Sequence, residues 1–183
     1  MNIILVSDIF GKTPALEKLA HELNVNTIVD PYEGKNMEFD NESEAYSYFT
    51  RYVGHEVYLN TLKECIKSSS KNCILIGFSI GATVIWRLSE LAIATKIKSA
   101  ICFYGSQIRN YTQISPTIDI KLVLPKSEAH FDIVELNQIL SKKSRVSSTI
   151  TNHLHGFMNV HSKHFSKKAY EEFMNILRKY CNC

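Results

Sequence analysis

The residues best suited to chemistry in this chain lie in the segment Gly77-Phe78-Ser79-Ile80-Gly81. A glycine stands two positions before the serine and another two positions after it. The segment follows the apolar run Cys73-Ile74-Leu75-Ile76 and precedes a stretch that is apolar at helical spacing. This is the nucleophile-elbow pattern, in which a tight strand-to-helix turn lifts a serine hydroxyl off the sheet edge. Glycines at the flanking positions avoid Cβ clashes, so we predict that Ser79 is a nucleophile.

A nucleophilic serine also needs a histidine, a carboxylate and N–H donors that hold an oxyanion. The Ile80 N–H lies at the start of the following helix, where unpaired donors and the helix dipole favour an anion. A second donor is expected from the loop after the first strand, and the Ile9 N–H is the main candidate. The alternatives are an ordinary Gly-rich turn at 77–81 and a simple connecting loop at 8–14.

The elements that must position these groups alternate along the chain. Apolar runs predict strands at residues 3–7, 27–29, 73–78, 100–104, 120–124 and 146–151. Helical spacing predicts helices that begin at Pro14, behind a Thr13 cap, cover residues 45–52, 56–66, 82–91 and 133–140, and close the chain around 170–177. Strands this apolar are buried on both faces. We therefore predict an α/β three-layer fold of about six mostly parallel strands, with helices on both faces.

In such a sheet the ligand site lies beyond the carboxyl ends of the strands, so a functional residue should come just after a strand. His155 follows the sixth predicted strand and is the expected base. The acid should come before it, after the fifth strand, where Glu128 and Asp132 both qualify. Glu128 is preferred, because Asp132 is better placed to cap the next helix. Asp119 precedes its strand and is rejected.

Histidines and cysteines also raise the possibility of a metal site. Four histidines lie close together in the sequence: His153, His155, His161 and His164. Zinc is the alternative interpretation, but no Asp or Glu ligand is near them. Cys181 and Cys183 could bind metal or oxidise, although a frayed tail is expected. We predict no metal and no cofactor.

Composition limits the class of protein. The 183 residues are 45% hydrophobic, which suits one domain spanning 1–183. The net charge is +3, and the acidic and basic residues are interspersed along the chain. We expect no nucleic-acid partner. No run approaches the ~20 apolar residues that span a bilayer, and no signal peptide is recognisable. With Cys73 and Cys102 in apolar runs, reduced thiols and a cytoplasmic location are expected, as a monomer or homodimer.

Five segments, in order, resemble the dienelactone hydrolase family of α/β-hydrolases: Asp8-Ile9-Phe10-Gly11, Asp30-Pro31-Tyr32, the elbow, Phe103-Tyr104-Gly105 and His155-Gly156-Phe157. The resemblance implies an α/β-hydrolase fold, a nucleophile at Ser79, a histidine at His155 and an acid at or near Glu128. It also implies an oxyanion hole formed by the Ile9 and Ile80 N–H groups.

The chain departs from the family pattern in three respects. Ser79 stands where the namesake enzymes carry cysteine, and Asp8 stands where they carry the longer glutamate. The chain is also shorter, with little room for a lid. The arginines that bind substrate in the namesake enzymes have no clear match in this chain, and Arg109 is only a loose candidate. The resemblance therefore supports hydrolase chemistry but not dienelactone as the substrate.

The resulting prediction is hydrolysis of a small carboxylic ester or thioester through an acyl-enzyme. Phe10, Phe78, Tyr104 and Phe157 neighbour these groups in sequence and are expected to line an aromatic pocket. The alternatives are a non-catalytic or binding protein on the same fold, another short serine esterase family and a metal-dependent enzyme.

Overall fold

The predicted apolar runs pair into one parallel sheet in the computed structural model of this chain, which describes residues 2–25 and 27–181. Its strands are β1 (Asn2–Val6), β2 (Thr27–Val29), β3 (Cys73–Phe78), β4 (Ile97–Phe103), β5 (Asp119–Leu124) and β6 (Val146–Ile150). They lie in the order β2-β1-β3-β4-β5-β6, and every neighbouring pair is parallel.

Helices connect the strands. They are α1 (Pro14–Glu22), α2 (Glu42–Tyr52), α3 (Gly54–Ser68), α4 (Ile80–Leu88), α5 (Ile133–Leu140) and α6 (Lys167–Cys181). Two 3₁₀ helices, Ala92–Lys96 and Ser106–Tyr111, flank β4. Thr13 caps α1 by accepting the Leu16 N–H at 3.2 Å, and Pro14 takes the first helical position, as predicted.

The core is divided between the two faces of the sheet. Because successive strand residues point to opposite faces, Ile4 joins one apolar cluster and its neighbour Leu5 joins the other. The first cluster packs under α2, α3, α4 and α5, and the second packs under α1 and α6. The predicted fold class, with helices on both faces of a parallel sheet, is confirmed.

Some predicted boundaries are wrong by a few residues. β4 begins at Ile97 rather than at residue 100, since Lys98 is exposed and interrupts the apolar run. α4 ends at Leu88 rather than at residue 91, because the Ser89 carbonyl leaves the helix to accept hydrogen bonds from the N–H and hydroxyl of Thr117.

Strand order creates a crevice at one point of the sheet. The chain passes from β1 to β2 on one side and later returns to β3 on the other side of β1. The loops that leave β1 and β3 therefore diverge, and ligands bind at this switch point in open α/β sheets. Within the described residues, no helix is both long enough and apolar enough to cross a membrane.

Candidate active site

Ser79 occupies a strained turn between β3 and α4. Its φ of 52° lies in the left-handed region, which costs a non-glycine residue on the order of 1–3 kcal/mol. The flanking glycines make room for this turn. A Cβ on Gly77 would lie 2.9 Å from the Ala82 backbone, and one on Gly81 would collide with the carbonyl oxygens of Val6 and Ser7. The elbow therefore sits directly against β1.

Three side chains from separate loops form one hydrogen-bonded chain. Ser79 Oγ lies 3.0 Å from His155 Nε2, and His155 Nδ1 lies 2.8 Å from Glu128 Oε1. The side chains of His155 and Glu128 are only 21% and 15% exposed, so bulk water screens their interaction poorly. Each of the three residues follows the carboxyl end of a strand, namely β3, β5 or β6.

The partners of His155 determine its tautomer. An ionised carboxylate can only accept hydrogen bonds, so the His155 Nδ1 that faces Glu128 carries a proton. When the ring is neutral, Nε2 is then free to accept the Ser79 hydroxyl proton. Burial raises the pKa of Glu128, but hydrogen bonds from His155 and Ser106, with the charges of His155 and Arg109, more than offset it. The net effect is a lowered pKa and a persistent carboxylate.

Ser106 is a site residue that sequence reasoning missed. Its hydroxyl donates to Glu128 Oε1 and lies 2.9 Å from His155 Nδ1, so it touches both members of the pair. It follows β4 after Tyr104 and Gly105. Ser106 lies just after a strand, as the predicted site residues do, but no sequence motif pointed to it.

The two predicted acids have different surroundings. Glu128 contacts His155, whereas the Asp132 carboxylate accepts the N–H groups of Val134 and Glu135 at the start of α5. Asp132 is therefore the cap of that helix. The geometry joins Glu128, and not Asp132, to the imidazole.

The predicted oxyanion donors lie on both sides of the crevice. Ile80 begins α4, and Ile9 borders a small cleft together with Ser79, Tyr104 and His155. We call this space, which Asp8, Phe10, Glu42, Gly156, Asn159 and Ser162 complete, the Ser79 cleft. In the loop after β1 the N–H groups of Phe10 and Gly11 donate to Asp8, so they are engaged within the loop.

The four predicted aromatic residues occupy four different positions. Phe10 borders the Ser79 cleft, Phe78 borders a larger neighbouring cavity, and Tyr104 borders both. Phe157 borders neither space, so the prediction that it lines the pocket is wrong. Its ring is fully buried and packs against Phe103 and other rings of the core. Since Gly156, at φ +83°, turns the chain after His155, the next side chain enters the core.

Asp8 is held at the cleft by two hydrogen bonds. Its carboxylate accepts the Phe10 N–H at 2.9 Å and the side-chain amide of Asn159. Burial raises the pKa of Asp8, although these hydrogen bonds and the His155 charge oppose that rise. Sequence reasoning singled out Asp8 only as a departure from the family pattern, and it missed Asn159.

The four neighbouring histidines do not converge. His155 belongs to the chain of hydrogen bonds, the His161 ring stacks on Phe10 with centroids 5.4 Å apart, and His153 packs beside Phe157. His164 Nδ1 lies 3.2 Å from the His155 carbonyl. Among residues 2–25 and 27–181 no group of three or more His, Cys, Asp or Glu side chains could hold a metal ion. Cys183, part of the alternative metal site, lies outside these residues.

Known proteins resemble this chain in sequence and in structure. No family model matches the chain. The uncharacterized protein YczH of Bacillus subtilis (strain 168) is 25% identical over 187 residues, which cover 96% of this chain and 90% of YczH.

Solved structures resemble the chain along nearly its whole length. The dienelactone hydrolase-like promiscuous phosphotriesterase P91, from metagenomic libraries, has a TM-score of 0.65 at 10% identity, over 97% of this chain and 85% of P91. An α/β serine hydrolase homologue from Coxiella burnetii has a TM-score of 0.64 at 13% identity, over 98% of this chain and 84% of the homologue. A cold-adapted esterase from an Arctic intertidal metagenomic library has a TM-score of 0.63 at 12% identity, over 99% of this chain and 82% of the esterase. The chain therefore has the α/β-hydrolase fold.

Proposed function

We propose that this chain is a serine hydrolase, similar to dienelactone hydrolases, that cleaves a small carboxylic ester or thioester. The observation that carries the proposal is the continuous hydrogen-bonded chain from Ser79 through His155 to Glu128, at 3.0 and 2.8 Å. It lies at the switch point of an α/β-hydrolase sheet, where ligands bind. The solved hydrolases that share the fold support the same class of chemistry.

The first half of the reaction forms an acyl-enzyme. His155 Nε2 takes the Ser79 proton while Oγ bonds to the carbonyl carbon, and the carbonyl electrons move to the oxygen. The Ile9 and Ile80 N–H groups hold that oxyanion, each contributing about 3 kcal/mol. When the tetrahedral intermediate collapses, the bond to the leaving group breaks and His155 gives the leaving group its proton.

The second half repeats these steps with water. His155 takes a proton from water as the water oxygen attacks the acyl carbon. The bond between the acyl carbon and Ser79 Oγ then breaks, His155 returns the proton to Oγ, and the carboxylic acid is released. Glu128 stays ionised throughout and stabilises the imidazolium. Since no separate lid is evident among residues 2–25 and 27–181, we propose a small-molecule substrate. We also propose that the chain acts as a cytoplasmic monomer or homodimer and needs no cofactor.

Covalent labelling tests the proposal. A fluorophosphonate probe should modify Ser79, as located by peptide mass spectrometry, and p-nitrophenyl acetate should be hydrolysed. Ser79→Ala should lose the label and at least ~10⁴-fold in kcat. Ser144→Ala, which changes an exposed serine in the turn before β6, is the matched control and should retain both.

Two results would overturn this function. One is full esterase activity in Ser79→Ala. The other is a folded wild-type protein that neither reacts with the probe nor hydrolyses any member of an ester and thioester panel, which would instead favour a non-catalytic protein on the same fold.

A further inference from the structure

A second cavity adjoins the Ser79 cleft. It has a volume of about 430 Å³ and lies between α1 and the segment 158–171, which includes the start of α6. This volume falls within the range of about 300–1,000 Å³ that is typical of small-molecule sites. We call it the α1–α6 cavity. Ser79, His155 and Glu128 do not line it.

The lining of the α1–α6 cavity is mainly apolar, with Asp8, Thr13 and Asn159 as polar members. Its apolar side chains include Leu16, Leu19, Phe78, Met158, Val160 and Phe165. The lining lysines, Lys18 and Lys167, are exposed, as is Glu171, while Glu22 pairs with Arg178 at 3.1 Å. The charges of the two helices therefore face solvent or are paired. An uncharged, aliphatic group suits such an interior, because burial removes its surface from water.

The cavity and the Ser79 cleft meet at a common wall. Asp8, Tyr104 and Asn159 line both spaces, and Phe78, which lines the cavity, directly precedes Ser79 in the chain. The Tyr104 hydroxyl is buried in this wall. The two spaces are therefore adjacent, and a group bonded to Ser79 Oγ would reach the cavity by passing these shared side chains.

The position of His155 determines which half of an ester the cavity would receive. His155 lines the Ser79 cleft but not the cavity. The leaving group must stay near His155 Nε2, which protonates it. The acyl group is attached to Ser79 instead and is free to point away from the imidazole. An acyl group can therefore point toward the cavity while the leaving atom stays at His155.

We propose that the α1–α6 cavity binds an aliphatic acyl chain, so that the substrates are esters or thioesters of medium-length fatty acids. This inference rests on the proposed function and narrows its substrate class. Each methylene that enters the cavity contributes about 0.8 kcal/mol of burial, which corresponds to about fourfold in kcat/KM.

A chain-length series tests the inference. For p-nitrophenyl acetate, butyrate, hexanoate and octanoate, kcat/KM should rise by up to about fourfold per added methylene until the cavity is full. Ala15→Phe introduces a ring into the cavity and should lower the octanoate-to-acetate ratio of kcat/KM by at least about tenfold. Ala92→Phe, at an exposed alanine before β4, is the matched control and should leave the ratio unchanged. If Ala15→Phe does not fold, Leu16→Trp fills the same space.

The results separate this inference from the proposed function. A wild-type protein that hydrolyses acetate but shows a flat or falling series overturns the acyl cavity and leaves the hydrolase proposal standing. Chain-length dependence confined to the alcohol part of a series of alkyl acetates overturns the acyl assignment.

Binding without catalysis provides an independent measurement. In calorimetry, Ser79→Ala should bind octanamide at least ~10-fold more tightly than acetamide, and Ser79→Ala with Ala15→Phe should lose this preference. Equal affinities for the two amides overturn the cavity proposal. Octanamide preference in a protein that hydrolyses no ester would overturn the hydrolase function but not the binding of an aliphatic chain.

Discussion

The chemistry of single residues at this site depends on which nitrogen of His155 carries the proton. Glu128 accepts from Nδ1, and Ser106 reinforces the arrangement because it contacts both Glu128 and Nδ1. Nε2, 3.0 Å from Ser79 Oγ, is left as the acceptor. The proposed mechanism requires a carboxylate here, because a group that donates to Nδ1 would favour the opposite tautomer.

Replacing the carboxylate tests this assignment. Glu128→Gln should lower kcat for p-nitrophenyl acetate by roughly 10⁴-fold, because an amide can donate to Nδ1 and stabilise the wrong tautomer. Asp132→Asn should change kcat less than about twofold, since asparagine caps a helix as well as aspartate does. Steady-state kinetics on the two purified variants decides, and a larger loss in Asp132→Asn would contradict the geometry.

Asp8 presents the opposite electrostatic case. The folded chain raises its pKa above the ordinary value of 3.8, mainly through burial. The protonated carboxyl is thus favoured in the folded state. The contribution of that preference to stability is complete below the unfolded pKa and is lost as pH rises through the folded pKa.

A variant with a neutral side chain at position 8 should therefore become more stable relative to the wild type as pH rises. The difference in Tm between Asp8→Asn and the wild type should become more positive between about pH 3 and pH 7. Calorimetry at a series of pH values measures it, with Asp40→Asn, which removes an exposed carboxylate, as the control. A difference that becomes more negative over this range would show that the hydrogen bonds from Asn159 and Phe10 outweigh burial.

At the level of elements, the elbow depends on how closely α4 approaches β1. Gly81 lies in the first turn of α4 against the carbonyl oxygens of Val6 and Ser7, and no larger side chain fits there without movement. This contact fixes the helix start, and with it the Ile80 N–H, relative to the loop that carries Ile9. The close packing of α4 on β1 and the position of the proposed oxyanion site therefore both depend on a glycine at position 81.

Gly81→Ala should destabilise the fold by about 2–3 kcal/mol through overpacking and should also lower kcat, because α4 must shift. The free energy of unfolding from urea titration measures the first effect. Gly34→Ala is the matched control: a Cβ there meets nothing within 4 Å, and only its φ of +81° costs about 1 kcal/mol. Equal losses in the two variants would exclude the proposed collision.

At the level of the whole molecule, one parallel sheet connects the two apolar clusters. Strands β1, β3 and β4 contribute alternate side chains to each cluster, so neither face is independent of the other. Trp86, the single tryptophan of the chain, is fully buried in the cluster under α2 to α5, where its ring N–H donates to the Tyr111 carbonyl at 2.9 Å.

The prediction of one domain follows from this shared sheet. Tryptophan fluorescence reports the α4 face, whereas far-UV circular dichroism reports helices of both faces. The two urea unfolding curves should coincide with one midpoint, as expected for a single cooperative unit. Loss of helical signal at urea concentrations that leave Trp86 fluorescence native would show that α1 and α6 unfold separately, and would contradict the prediction.

Much of the fold could be predicted from the sequence because its signals are local. Apolar runs, helical spacing and a capping Thr13 depend on neighbours within a few positions, and they located the strands and helices to within a few residues. The spacing of Gly77 and Gly81 around Ser79 is a local signal too, since the turn itself requires small residues. The order of residues after successive strands also pointed to His155 and to an acid after β5.

Only the tertiary structure decided how these loops meet. The sequence left Glu128 and Asp132 open, because the direction of a loop side chain depends on contacts from other strands. The hydrogen bond between Asn159 and Asp8 joins residues 151 positions apart, and no local pattern encodes it. The sequence by itself determined the elements and the strained serine; the packing of β1, β3, β4, β5 and β6 side by side determined the partners of that serine and the cavity beside it.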